Sequence, residues 1–66
     1  MLIRIEDAVT RFKTKAGLAR ALGLPRQSIS NRLRMSDYLT DNQALKLHRR
    51  HPVITRELLA LAKDRK

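Results

Sequence analysis

The chain has no cysteine, so neither a disulfide nor a thiolate metal site can supplement its core. It is also short. A chain of 66 residues buries only about 60% of the surface it exposes when unfolded, which leaves a thin stability margin and no room for a deep enclosed pocket. These limits point to a single domain, residues 1–66, stabilised by helix packing and open to further stabilisation by oligomerisation. They argue against an enzyme and against a small-molecule substrate.

Aromatic residues are almost missing: Phe12 and Tyr38 are the two present. Proteins that hold single-stranded nucleic acid stack its bases on aromatic platforms, so that mode is disfavoured. No run approaches the roughly 20 apolar residues of a membrane span, and the N-terminal segment has no apolar secretory stretch. A soluble protein of a cytoplasm or nucleoid, with no membrane partner, is therefore expected. Sustained alternation and clustered β-branched residues are lacking, which speaks against strands. His48 and His51 can share a helical face, but no cysteine or suitably placed carboxylate completes a metal set. No nucleophile or paired acid joins them either, so no catalytic residue, metal or cofactor is expected.

Positive charge is what the chain has in excess. Fifteen Lys and Arg against six Asp and Glu give a net charge of +9. The excess is concentrated: Arg11, Lys13, Lys15, Arg20, Arg26, Arg32 and Arg34 fall where no acid interrupts between Asp7 and Asp37. A basic segment of this kind attracts polyanions and is the expected electrostatic footprint of nucleic-acid binding.

The pattern of apolar residues predicts an all-α chain, a compact bundle of five short helices. Ile5, Ala8, Val9 and Phe12 follow helical spacing, with Glu6 and Asp7 in the first turn, where carboxylates favour the positive helix end. Residues 1–4 either extend this helix or form a short arm. Thr14 is a suitable N-cap for a second helix over residues 15–22, with Leu18, Ala19 and Leu22 inward. Gly17 is out of place there, since glycine costs about 1 kcal/mol relative to alanine in a helix interior. Gly23 suits the left-handed position that ends a helix. Pro25 suits the first position of a third helix, with Ile29 and Leu33 as its buried ridge and residues 35–39 as a connector. Thr40 and Gln43 have capping-box spacing, which starts a fourth helix over residues 41–50 with Ala44, Leu45 and Leu47 inward. Pro52 opens a fifth that continues to Ala62, before residues 64–66 fray.

The chemistry is concentrated in residues 14–34, TKAGLARALGLPRQSISNRLR: two helices joined at Gly23-Leu24-Pro25. Ala19 lets the backbones approach, and Gly23 permits a sharp turn. Such a helix-turn-helix, formed by helices two and three, can hold one short helix rigidly outward. On that third helix Gln27, Ser30, Asn31 and Arg34 gather opposite Ile29 and Leu33, with Arg26 at the edge. Arg bonds guanine bidentately in the major groove, and Gln or Asn bonds adenine. Lys13, Thr14 and Lys15 sit at the start of the second helix, where backbone N–H groups favour phosphate, and Arg20 on its outer side is a further phosphate candidate. Lys46, Arg49 and Arg50 form a second basic cluster that either neutralises the end of its own helix or reaches DNA.

The stretch DAVTRFKTKAGLARALGLPRQSISNRL, residues 7–33, resembles the small Cro repressors of lambdoid phages, especially their all-helical branch. The likeness rests on D-A-V…F in the first helix, the threonine before the second, and the A-x-x-L-G-L turn. It implies a dimer that represses transcription at a pseudo-palindromic operator, with base contacts falling on Arg26, Gln27, Ser30, Asn31 and Arg34. The chain departs from the pattern at Arg32, where the family often has an apolar residue, with Leu33 taking that load.

The fifth helix is more apolar than one face requires. Ile54, Leu58, Leu61 and Ala62 are expected in the core, which leaves Val53 and Leu59 as surplus for a second copy in a weak homodimer. Two other functional classes fit parts of the sequence. One is a DNA-binding module of an antitoxin, recombinase or architectural protein, separable by its genomic neighbourhood. The other is a membrane-active cationic helical peptide, against which stand the interruptions at Gly23, Pro25 and Pro52.

Overall fold

A computed structural model describes residues 1–64 as five helices, and the caps that delimit them are mostly local. The first helix, α1 (Ile5–Phe12), carries Glu6 and Asp7 in its first turn and ends at Lys13, which takes φ 75°. Thr14 caps α2 (Lys15–Leu22), its hydroxyl accepting the Gly17 N–H at 2.8 Å. Gly23 closes α2 in the left-handed region at φ 69°. There the Gly23 N–H donates to the Arg20 carbonyl and the Leu24 N–H to the Ala19 carbonyl at 2.9 Å, the paired bonds of a Schellman ending.

Pro25 lies one position outside α3 (Arg26–Met35), because its ψ of 149° is extended; it flanks the helix and is not its first residue. At the other end α3 runs one residue past Arg34 to include Met35, which the connector was expected to hold. The capping box of α4 (Asp41–Arg50) is formed in both directions, Gln43 N–H to Thr40 Oγ1 at 3.1 Å and Thr40 N–H to Gln43 Oε1 at 2.9 Å. The last helix, α5 (Pro52–Asp64), begins at Pro52 and keeps Asp64 helical, where fraying was expected; residues 65 and 66 lie outside the described residues. Among the described residues no helix is long and apolar enough to cross a membrane.

Residues 1–4 form an arm, not a helical extension. Leu39 N–H donates to the Ile3 carbonyl at 2.9 Å and Ile5 N–H to the Asp37 carbonyl at 2.8 Å, on either side of an antiparallel Arg4–Tyr38 bridge. The arm thus delivers Ile3 into the core and ties the α3–α4 connector to the start of α1. The core combines Ile3 and Ile5 with Leu18, Leu22, Ile29, Leu47 and Leu58, all fully or almost fully buried. The most extensive interhelical packing is between α2 and α3, with α4 and α1 backing α2. Ala19, 2% exposed, belongs to the same buried cluster.

Three apolar assignments differ from expectation. Leu45 is 40% exposed, because Ala44 and Leu47 alone turn α4 inward. On α5, Leu61 is 44% exposed while Leu59 is half-buried against the core. Those two residues lie on opposite edges of the helix's apolar face. The Leu59 edge is the one covered, sharing a shallow depression with Leu2 of the arm, Tyr38 and Ala62. Leu59 is therefore core-packed and not surplus, and Leu61 joins Val53 as exposed apolar surface. His51 is used in packing, its ring meeting that of Phe12 edge-on at 5.5 Å.

Candidate nucleic-acid interface

The orientation of α3 follows from its two anchored residues. Ile29 is fully buried and Leu33 is packed against the core. At about 100° per residue this turns Gln27, Asn31, Arg34 and Met35 to the opposite side as one continuous stripe, and all four are exposed. Arg26 is exposed in the first turn, and Ser30 is half-buried at the margin of the stripe. Gln27 Nε2 donates to Asn31 Oδ1 at 3.0 Å. That bond braces both amides and leaves Gln27 Oε1 as an acceptor and Asn31 Nδ2 as a donor, the complementary pair that an amide can offer a base edge.

Arg32 does not join the stripe. It is half-buried, and its Nε donates to the Tyr38 carbonyl at 2.8 Å. The guanidinium is thereby anchored on the connector, and Leu33 supplies the packing.

A cleft between the starts of α2 and α3 is lined by Thr14, Lys15, Ala16, Arg26, Gln27 and Ser30. The fold thus brings two phosphate candidates, Thr14 and Lys15, beside three base-reading candidates. Asn31 is linked to the group through Gln27. The Thr14 oxygen is occupied by the Gly17 N–H, but its hydroxyl proton remains available to an anion. Lys13 is exposed next to it. Arg20 and Arg34 are exposed but lie outside the cleft, Arg20 in the last turn of α2 and Arg34 farther along α3.

Ion pairing adds contrast. Arg11 meets Glu57 at 3.4 Å, Arg4 meets Glu6 at 3.9 Å and the Met1 amino group meets Asp41 at 4.0 Å. These pairs all lie outside the α2–α3 segment, where the sequence has no acid to offset its cations. Of the second basic cluster, Arg50 neutralises the end of a different helix from its own. Its Nη1 donates to the Ala21 carbonyl at 3.3 Å, and its guanidinium lies over Gly23, 3.2 Å from where a Cβ would stand. Arg50 therefore closes the carboxyl end of α2 at the turn into α3.

Sequence reasoning left Met35 out of the interface and named Arg50 without its contact at the end of α2. Met35 carried a usable signal, being four residues after Asn31 with neither glycine nor proline to stop the helix before it. Arg50 carried none, because its partner is 29 residues away. No protein-family model, curated protein or solved structure matches the chain.

Proposed function

We propose that the chain is a sequence-specific double-stranded DNA-binding protein that acts without catalysis as a transcriptional regulator. The observation that carries this reading is the acid-free, exposed stripe of α3, with Gln27 and Asn31 braced as a pair beside the cations that start α2. In this reading α2 and α3 are a helix-turn-helix. Arg26, Gln27, Ser30, Asn31 and Arg34 read base edges in the major groove, while Lys13, Thr14, Lys15 and Arg20 hold phosphates. The resemblance to small Cro repressors adds the regulatory outcome: a weak homodimer in the cytoplasm occupies a pseudo-palindromic operator, with half-sites about 34 Å apart, and excludes polymerase. Exposed Val53 and Leu61 on α5 supply apolar surface for the second copy.

Selection of duplexes from a random pool, followed by gel shifts of the selected site against a scrambled one, tests the reading. A preference of about a thousandfold or more is expected. Gln27→Ala and Asn31→Ala are each expected to weaken the selected site by about five- to a hundredfold, and the scrambled duplex far less. Equal binding of both duplexes, with both substitutions silent, would sink it.

Lys13 offers a second test, because its two expected effects have opposite signs. A non-glycine residue at φ 75° is strained by about 1–2 kcal/mol, more than the 0.5–1 kcal/mol that glycine's added unfolded-state entropy costs. Lys13→Gly is thus expected to raise the melting temperature by a few degrees. The same variant should bind DNA less tightly, with a shallower salt dependence by about one in slope for each copy bound. Calorimetry and a salt titration on one preparation read both; a stabler variant with an unchanged slope would remove Lys13 from the interface.

A further inference from the structure

We infer that Met35 is a specificity-determining residue of the α3 stripe, packing its thioether side chain against the C5-methyl group of a thymine in the major groove. The inference rests on the DNA-binding reading of α3 and names a contact that reading does not contain.

Met35 is 81% exposed, more than any other large apolar side chain among the described residues. Single exposed apolar residues are common on protein surfaces, so exposure alone carries little weight. Its placement carries more. Met35 closes α3, and the Ser36 N–H bond to the Arg32 carbonyl at 2.9 Å holds that last turn in helical form. The connector beyond it is held too, by Arg32 on the Tyr38 carbonyl and by the pairing of Arg4 with Tyr38. Met35 is therefore presented by an anchored turn.

The residues around it indicate the occupant. Along the stripe Met35 follows Arg34 and lies one turn from Asn31, with Gln27 a further turn back. The anchors of protein–protein interfaces cluster in a well-packed, desolvated centre, whereas this methionine stands alone among an arginine and two amides. A polyanion matches that charge. On the base edges of a major groove the thymine methyl is the apolar feature on offer, and an unbranched, polarisable side chain adapts to it readily. Eight residues of helix separate Gln27 from Met35, about 12 Å at 1.5 Å per residue. That distance corresponds to three to four base-pair steps of 3.4 Å.

The test replaces each thymine of the selected duplex by deoxyuridine, which removes only the methyl group, and measures binding of the unaltered chain and of Met35→Ala. One thymine per half-site is expected to respond, three to four base pairs from the position whose preference is lost in Gln27→Ala. Its demethylation should weaken the unaltered chain about fourfold, the equivalent of one buried methyl group, and leave Met35→Ala unaffected. Met35→Ala should melt with the unaltered chain, because the side chain it removes is exposed. Uracil substitutions that weaken both proteins equally, or neither, would overturn the inference while leaving DNA binding intact. So would a Met35→Ala protein that binds normally but self-associates less, which would assign the residue to a protein contact. Absence of any sequence preference in the unaltered chain would overturn both this contact and the reading it rests on.

Discussion

Gly17→Ala is expected to lower the melting temperature by roughly 10 °C, although alanine is the better helix former by about 1 kcal/mol. The reason is space. A Cβ at Gly17 would stand 2.5 Å from the Phe12 carbonyl oxygen and 3.2 Å from the Thr14 hydroxyl. The first neighbour is backbone, so it cannot move aside as the tip of a side chain could. Relief would require α1 and α2 to separate, and α2 also supports α3. Forced overpacking costs about 1–3 kcal/mol, and this contact is near the upper end. Net of the propensity gain, about 2 kcal/mol remains, a large share of the stability of so small a domain. Thermal unfolding followed by circular dichroism decides the sign. A rise in midpoint, the usual result of replacing a helical glycine, would show that the chain tolerates separation of α1 from α2 at this point.

Affinity for the selected duplex is expected to fall about a thousandfold between 50 and 200 mM salt. Lys13, Lys15 and Arg20 in each of two copies would neutralise about six phosphates, giving a slope of log K against log salt near −5. The electrostatic case for this magnitude is the segment without acids between Asp7 and Asp37, together with the placement of the ion pairs of Arg4 and Arg11 outside α2 and α3. Lys15→Gln should reduce the slope by about two for a bound dimer and by about one for a monomer, so the same titration reports stoichiometry. A slope near zero would remove the electrostatic half of the proposed function.

The candidate interface was legible to different depths. Arg26, Gln27, Ser30, Thr14 and Lys15 were identifiable from type and spacing, and they line one cleft. Arg34 was identifiable as part of the face but not as standing outside that cleft. Met35 reads as connector because the buried ridge of α3 ends at Leu33, although its place four residues after Asn31, with no helix breaker before it, was a usable signal. Arg32 read as one more cation in the basic stretch. Its bond to the Tyr38 carbonyl depends on where the connector runs, and that depends on the arm formed by residues 1–4.

Compact all-helical architecture and its caps were determined by the sequence itself. Thr14, Gly23 and the Thr40–Gln43 box each act within about one helical turn, so residue type and local spacing are sufficient to specify them. Tertiary structure decided what depends on residues far apart in the chain: the pairing of the arm with residues 37–39, the burial of Leu59 in preference to Leu61, and the closure of α2 by Arg50. It also reversed the meaning of Gly17, which by local propensity is a defect. Propensity concerns one helix in water. The contact between Gly17 and the Phe12 carbonyl exists only after α1 has folded back onto α2.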